Sequence, residues 1–190
     1  MPFPDESGVV QLVPHRAAWS GEFETLAERL SAALGQLAIG IDHIGSTAVP
    51  GLVAKDVIDV QVRVATLDRD ALDSCLGSLG FRRRPEQWNN REVSFGTECS
   101  KMVFAPPAGE RPSNVHVRVD GAPNARMALV IRDYLRANAD ARSAWGEFKL
   151  RLSREAPDLN TYGRIKAPAT IILAAAAAAW AQGAQERVEQ

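Results

Sequence analysis

The segment from His43 to Val64 constrains the possible fold more than any other part of the sequence. An apolar run, Leu37 to Ile44, ends on Gly45-Ser46, the chain turns through Pro50-Gly51, and a second apolar run begins at Val57. Short apolar runs bounded by Gly and Pro are typical of strands. The segment therefore predicts two strands joined by a polar turn, and we expect the chemistry of the protein to lie at that turn.

Side chains on the second predicted strand alternate between two chemically different faces, because successive residues of a strand point to opposite sides. One face is wholly apolar and is predicted to be core: Ile58, Val60, Val62 and Val64. The opposite face carries Val57, Asp59, Gln61 and Arg63. A carboxylate, an amide and a guanidinium in a row are too polar for a second buried layer, so this face predicts a site beside the Gly-Ser turn.

The polar turn contains groups that suit an anion. Gly45 permits close approach of the backbone to a phosphate, and Ser46 and Thr47 supply hydroxyl groups and successive backbone amides. Lys55, just before the second strand, either meets a triphosphate or faces water. Gly-Ser-Thr is a common turn sequence, so the prediction depends on the order of a strand, the turn and a strand that bears Asp59.

A second strand with one polar face is predicted over residues 114–119. Its polar and apolar positions alternate: Asn114, His116 and Arg118 against Val115, Val117 and Val119. If this strand lies beside the Asp59 strand, the two form a polar floor that includes Gln61. The alternative is a polar face that is simply open to solvent.

The stretch from His43 to Asp59 resembles the signature of the GrpB family, a small bacterial family that is similar to the nucleotidyltransferase superfamily. Shorter matching pieces extend over most of the chain: Val13-Pro14, Trp19, Asn114 to Val117, Arg132 to Arg136, Tyr162 and Lys166. The resemblance implies an α/β (α+β) fold with a nucleotidyltransferase-like mixed β-sheet flanked by helices. We expect this core over residues 1–120 and a C-terminal helical part, packed on the core, over residues 121–190.

The resemblance also implies a metal. In the superfamily two acids spaced two residues apart bind divalent metal, together with a third carboxylate on a later strand, which implies that Asp59 binds Mg²⁺. The second acid is replaced by Gln61, whose neutral amide oxygen is a weaker ligand for magnesium. Two-metal transfer needs carboxylates that hold the ions about 4 Å apart. The incomplete acidic pair therefore supports nucleotide binding more than nucleotidyl transfer.

Two groups of site residues follow from the resemblance. The nucleotide-binding group is Gly45, Ser46, Thr47, Lys55, Arg132 and Lys166. The catalytic group is Asp59, which holds the metal, and His116, which orients or deprotonates an acceptor.

Three functions are compatible with these residues. The first is binding of a nucleoside triphosphate or related phosphate ligand with Mg²⁺, and transfer of a nucleotidyl group to an acceptor. The second is a non-catalytic nucleotide- or coenzyme-binding sensor or accessory module. The resemblance supports this function, since GrpB-like domains are attached to dephospho-coenzyme A kinase in some bacteria, which implies a link to coenzyme A metabolism. The third is a protein-interaction module whose polar floor faces water.

Composition argues against two classes of partner. Lys and Arg total 22 against 23 Asp and Glu, a net charge of −1, whereas nucleic-acid-binding domains are usually strongly basic.

Cys75 and Cys99 lack metal-type spacing, which favours a reduced compartment. The N terminus predicts no signal peptide. Ala167 to Ala181 contains Pro168 and falls short of the roughly 20 residues that span a bilayer, so it predicts a buried helix of a soluble protein. We therefore expect a cytoplasmic protein that contacts neither membrane nor nucleic acid.

The middle of the chain predicts smaller elements. A strand is predicted over Phe81 to Arg84, with its three arginines solvated, and Val93 to Thr97 is predicted to pair with Lys101 to Phe104 as a hairpin. Glu92 either supplies the missing acid or is an exposed loop residue.

Overall fold

A computed structural model describes residues 10–188 of the chain, and side-chain surroundings for residues 10–184. Within that range the strands are β1 (Gly40–Ile44), β2 (Ile58–Val64), β3 (Arg82–Arg83), β4 (Arg91–Ser94), β5 (Thr97–Ser100), β6 (Met102–Ala105) and β7 (Ser113–Val119). The helices are α1 (Ala18–Leu34), α2 (Arg69–Ser78), α3 (Pro123–Ala137), α4 (Ala139–Glu155) and α5 (Leu159–Val188).

Five of the strands form one mixed sheet in the order β1-β2-β7-β6-β3. β2 and β7 pair in parallel, and the other neighbours are antiparallel. β1 starts at Gly40 and not at Leu37, because Gly35–Leu37 form a single turn of 3₁₀ helix. The mixed sheet with helices against it and a helical C-terminal part confirms the predicted fold class. The division of the chain at residue 120 stays a prediction.

The core lies between the apolar face of the sheet and the pair α1 and α2. The four apolar positions of β2, from Ile58 to Val64, are 0–2% exposed, as the alternation predicts. Trp19 and Leu30 of α1 and Leu72 of α2 pack in the same buried cluster. Burial of these side chains holds β2 in register, because a slip by one residue would turn its polar side chains into this core.

The polar face of β2 is covered by α3, which the sequence did not predict. Gln61 is fully buried, and its amide nitrogen lies 3.3 Å from the Ala125 carbonyl oxygen of α3 and 3.3 Å from Asp42 Oδ2. A polar layer can be buried when each group finds a hydrogen-bond partner. The expectation that this face is too polar for a second buried layer is therefore wrong at Gln61.

The region from residue 81 to residue 105 differs from its prediction. β4 pairs with β5 and not with the Lys101 segment, because the chain reverses at Phe95 and Gly96, where φ is +50° and +75°. β6 instead joins the main sheet between β7 and β3. Arg84, which we expected to be solvated, is 6% exposed and donates a hydrogen bond to Asn114 Oδ1 at 3.2 Å.

α5 is one continuous helix that passes through Pro168. The prediction of a buried helix is wrong. Ile171 and Ile172 are exposed, and 11% of the residues in the most apolar stretch of the helix are buried. One side of α5 packs on α3, where the rings of Trp180 and Tyr134 lie 5.8 Å apart. Residues 159–184 are long and apolar enough to cross a membrane, criteria that core helices of soluble proteins also meet.

We predict that Ile58→Ala lowers the free energy of unfolding by about 2–5 kcal/mol, because it leaves a cavity in the middle of the sheet. The matched control is Ile172→Ala, which removes the same atoms from a side chain that is 74% exposed and should change stability by less than about 0.5 kcal/mol. Urea denaturation of the two variants tests this. Equal losses would contradict the placement of the core.

Candidate functional site

A cavity of about 410 Å³ lies between the sheet and helices α3, α4 and α5. Its wall includes every residue that the resemblance placed in the site: Gly45, Ser46, Thr47, Lys55, Asp59, His116, Arg132 and Lys166. The structure therefore brings the predicted set together around one space. What each residue offers to a ligand depends on the contacts it already makes.

Gly45 and Asp59 touch in the wall of the cavity. Gly45 has a φ of +70°, which favours glycine, and a Cβ atom at this position would lie 2.4 Å from Asp59 Oδ2. The pairing of β1 with β2 places Ile44 opposite Asp59, so the turn begins directly beside the acid. A Gly-Ser turn and a carboxylate thus share one wall.

Asp59 is a carboxylate held by neighbouring polar groups. Its Oδ1 atom accepts a hydrogen bond from Asn114 Nδ2 at 3.0 Å and lies 3.8 Å from His116 Nε2. Burial raises the pKa of Asp59, but His116, Asn114 and Lys55 outweigh burial and bring the pKa to about 2. Asp59 is therefore ionised at neutral pH.

His116 is held close to Asp59 in its neutral form. Burial lowers the pKa of His116, which outweighs the raising effect of Asp59. The Nδ1 atom of His116 is buried and has no hydrogen-bond partner among the described residues. At neutral pH the ring therefore has one nitrogen free to accept a proton.

Three lysines line the same cavity: Lys55, Lys149 and Lys166. Lys149 of α4 is 2% exposed and donates hydrogen bonds from Nζ to Ser46 Oγ at 2.9 Å and to the Val53 carbonyl oxygen at 2.5 Å. Burial and then the charge of Lys166 bring the pKa of Lys149 to about 7, against the raising effect of Asp59. Burial, and then Lys55, lower the pKa of Lys166. The lysines repel one another, so an anion in the cavity would stabilise all three.

Sequence reasoning missed Lys149, although the sequence contained a signal for it. Trp145, Lys149 and Leu152 lie four and three residues apart and therefore share one face of α4. Trp145 and Leu152 give that face an apolar character, and it is buried at Leu152. A lysine on the apolar stripe of a helix is expensive to bury, which marks it as a candidate for a functional role.

Two arginines of α3 hold the backbone of the polar turn. Arg132 Nη1 donates to the His43 carbonyl oxygen at 3.1 Å, and Arg136 Nε donates to the Ala48 carbonyl oxygen at 2.9 Å. Arg132 also forms two hydrogen bonds with Asp133, at 2.7 and 3.1 Å, so its charge is largely offset. The arginine pair therefore positions the turn by direct hydrogen bonds to its carbonyls.

Thr47 makes a similar internal contact. Its Oγ1 atom lies 3.0 Å from His43 Nε2, and the Thr47 side chain is buried. The His43 ring stacks on Phe23 with 4.6 Å between ring centroids. Burial lowers the pKa of His43 to about 4, so the ring is neutral and structural. The Thr47 hydroxyl is therefore already engaged with His43.

The position of the missing second acid is occupied by a closed network. Arg118 Nη1 donates to Gln61 Oε1 at 2.9 Å, and Arg118 Nε donates to Glu92 Oε1 at 2.7 Å. Lys101 Nζ also bonds Glu92, at 2.9 Å. Burial raises the pKa of Glu92, but Arg118 and Lys101 outweigh it and bring the pKa to about 2. Glu92 is thus neither an exposed loop residue nor a free metal ligand.

Only one carboxylate in the cavity wall is available to a metal. Gln61 and Glu92 already accept hydrogen bonds from Arg118. The described residues contain no group of three or more His, Cys, Asp or Glu side chains that could hold an ion. Asp59 alone fits a magnesium ion that also binds phosphate oxygens of a ligand. The donor set does not fit two metal ions.

The fold and the cavity together define an α/β protein with a lysine-rich cleft built around a Gly-Ser turn. The family model described as GrpB protein matches residues 9–175. The chain therefore belongs to the GrpB family, and the predicted family membership is confirmed.

Several known proteins are similar to this chain. A dephospho-CoA kinase of Mycolicibacterium paratuberculosis is 34% identical over 177 residues, which cover 84% of this chain and 44% of that protein. A UPF0157 protein of Streptomyces coelicolor is 32% identical and is covered to 85% by the match, with 90% of this chain. The conserved protein GrpB from Enterococcus faecalis has a TM-score of 0.74 at 26% identity, covering 88% of this chain and 96% of that chain. The chain thus spans less than half of the length of the dephospho-CoA kinases it matches.

We predict that Gly45→Ala destabilises the protein more than Gly121→Ala does. Both glycines have a φ of +70°, but only the Gly45 substitution drives a Cβ atom into Asp59, since nothing lies within 4 Å of the Cβ position at Gly121. A strained backbone costs on the order of 1–3 kcal/mol at either position, and the clash adds to it at Gly45 alone. Urea denaturation measures both. Equal losses would mean that the turn and Asp59 do not touch.

We predict that Glu92→Gln lowers the free energy of unfolding by on the order of 2 kcal/mol at pH 6. The folded-state pKa of Glu92 is depressed, so its contribution is present above the unfolded pKa and is lost as the pH falls from about 4.5 to about 2. The difference from wild type should therefore shrink over that range. Glu147→Gln is the control, because that side chain is 62% exposed and its pair with Arg151 should contribute little. A difference that stays constant with pH would contradict the Glu92 network.

Proposed function

We propose that this protein binds a nucleotide or a related phosphate-bearing small molecule in the cleft between the sheet and helices α3 to α5. The observation that carries the proposal is the convergence of the Gly45-Ser46 turn, Lys55, Lys149 and Lys166 on one cavity that contains a single available carboxylate, Asp59. Backbone amides, a hydroxyl group and ammonium groups are the donors that phosphate oxygens accept from. An anionic ligand supplies the negative charge that the cavity wall lacks.

We propose that Mg²⁺ enters this site with the ligand. Magnesium is commonly held by one or two carboxylates plus substrate phosphates, and Asp59 is the single protein ligand that fits. With the ion bound, Asp59 would fix one end of the phosphate chain, and the lysines would offset the remaining charge. The Asn114 hydrogen bond to Asp59 fixes the orientation of the carboxylate.

Binding without transfer is the function that the residues support best. Nucleotidyl transfer through two metals needs a second acid, and Gln61 in that position is neutral, fully buried and bonded to Arg118. Transfer is the second candidate, with neutral His116 beside Asp59 as the group that would accept the proton of an acceptor. A module that only binds other proteins is the third, and it predicts that no phosphate ligand binds.

The names of the relatives suggest a ligand to test. Dephospho-CoA kinases match this chain over part of their length, and dephospho-coenzyme A is itself an adenine nucleotide that carries a diphosphate. We therefore propose a coenzyme A precursor as one candidate ligand, and a role linked to coenzyme A metabolism. We also propose a cytoplasmic location, because Cys75 and Cys99 are both free thiols.

We predict that ATP, another nucleoside triphosphate or dephospho-coenzyme A raises the melting temperature, and that Mg²⁺ strengthens the effect. Thermal shift followed by calorimetry of ATP, CTP, GTP and dephospho-coenzyme A, each with and without Mg²⁺, measures this. Asp59→Asn should remove most of the magnesium dependence. Asp68→Asn is the matched control, since Asp68 caps α2 through the Ala71 amide and asparagine caps equally well.

Two results would count against the proposal. If none of the four ligands binds, the cleft is not a phosphate site and the interaction module is the better function. If a ligand binds but Asp59→Asn leaves its magnesium dependence unchanged, Asp59 is not the metal ligand. Incubation of labelled nucleotide with candidate acceptors then separates transfer from binding.

A further inference from the structure

Lys149 is buried without a counter-ion. Its side chain is 2% exposed, and no carboxylate among the described residues forms an ion pair with it, although Asp59 lines the same cavity. Lys101, by contrast, has a side chain that is 10% exposed and Glu92 at 2.9 Å. A buried ammonium group without a partner is strongly disfavoured. The fold therefore buries at Lys149 an amine whose charged form is paired with no carboxylate of the described chain.

The amine of Lys149 lies against the Gly45-Ser46 turn. Nζ donates to Ser46 Oγ and to the Val53 carbonyl oxygen, which accounts for two of the three N–H groups of an ammonium ion. The third N–H has no hydrogen-bond partner among the described residues. Gly146, one turn earlier on α4, would place a Cβ atom 3.5 Å from Leu52 Cδ1, so the helix packs closely on the segment that follows the turn. Two hydrogen bonds and the packing of α4 thus place Lys149 beside Ser46.

We propose that Lys149 binds a phosphate group of the ligand directly, without a metal ion between them, and that the ligand carries at least two adjoining phosphate groups. This refines the proposed function and rests on it. One phosphate contacts Lys149 and Ser46, and the next contacts Lys166, which lines the same cavity from α5. The ligand supplies the counter-ion that Lys149 lacks. Adjoining phosphates meet this need better than a single one, because two lysines face them.

Binding of such a ligand takes up a proton. The pKa of Lys149 is about 7 in the free protein, because of burial and the charge of Lys166. A phosphate anion against Nζ raises that pKa, so an amine that is partly neutral above pH 7 becomes an ammonium ion in the complex. The affinity therefore falls as the pH rises above 7. The other charged or titratable groups of the cavity wall are Lys55, Asp59, Glu92, His116, Arg118, Arg132 and Tyr162. Arg132 is paired with Asp133 and Arg118 with Glu92, and burial raises the pKa of Tyr162 to about 12, so its phenol stays neutral over this range.

Inorganic pyrophosphate is the probe that tests this proposal. We predict that calorimetry in EDTA detects its binding to the wild-type protein, and that phosphate alone binds at least tenfold more weakly. Titrations in two buffers of different ionisation enthalpy measure the protons taken up. Lys149→Met should weaken pyrophosphate binding at least tenfold. Lys149→Arg should retain much of the affinity but lose the proton uptake of Lys149, since arginine remains charged throughout.

The difference in proton uptake between wild type and Lys149→Arg isolates Lys149, because the protonation change of pyrophosphate is common to both. The charge control is Arg151→Gln on the same helix, where the Arg151 side chain is 75% exposed and away from the cavity. It should change neither affinity nor proton uptake. Circular dichroism and urea denaturation establish that each variant is folded.

The pH dependence of affinity also tests the proposal. Between pH 6.5 and 8.5 the affinity of the wild-type protein for pyrophosphate in EDTA should fall relative to that of Lys149→Arg, because the ionisation of the ligand is common to both. Parallel profiles would overturn the proposal. If nucleotides bind only with Mg²⁺, or bind equally well to folded Lys149→Met, the role of Lys149 is wrong while the proposed function stands. If no phosphate ligand binds under any condition, the proposed function fails and this inference fails with it.

Discussion

The parallel pairing of β2 with β7 is the constraint on which the rest of the structure depends. In parallel register, Asp59 lies beside Asn114 and Gln61 beside His116, so the polar residues of both strands share one face. The same register places Val60 beside Val115 on the other face, in the core. Burial of that apolar face therefore fixes where the polar side chains stand. The geometry of the cavity is a consequence of the core.

The polar face is divided into a closed half and an open half, and the division is electrostatic. On one side Arg118 donates hydrogen bonds to Gln61 and Glu92, and α3 covers this network through the Ala125 carbonyl. On the other side Asp59 has hydrogen bonds that leave it ionised, with ammonium groups around it. A buried network is stable only when its members satisfy one another. The open half does not meet that condition without a ligand, which is why we place the function there.

Sequence patterns were sufficient to predict which faces of β2 and β7 are core, because their residues alternate with period two. The fold class and the residues around the cavity were predicted from the family resemblance. The patterns failed where a nonlocal contact decides the outcome. Gln61 is buried because α3 supplies a carbonyl, and Arg84 is buried because Asn114 is its partner. Pairing of β4 with β5 depended on positive φ at Phe95, which is uncommon for a residue with a side chain. None of these contacts is indicated by the residues that neighbour it in the sequence.

Lys149 shows a different reason for failure. Its position on α4 reads as part of an apolar stripe, and a lysine there is normally expected to extend its stem along the surface and reach water. Lys149 does not reach water, because its Nζ donates to Ser46 Oγ and to the Val53 carbonyl oxygen in the interior. Whether a lysine is buried with or without a carboxylate depends on three elements distant in sequence. The sequence therefore contains the lysine but not its isolation from carboxylates, and that isolation is the basis of the proposed preference of the cleft for an anion.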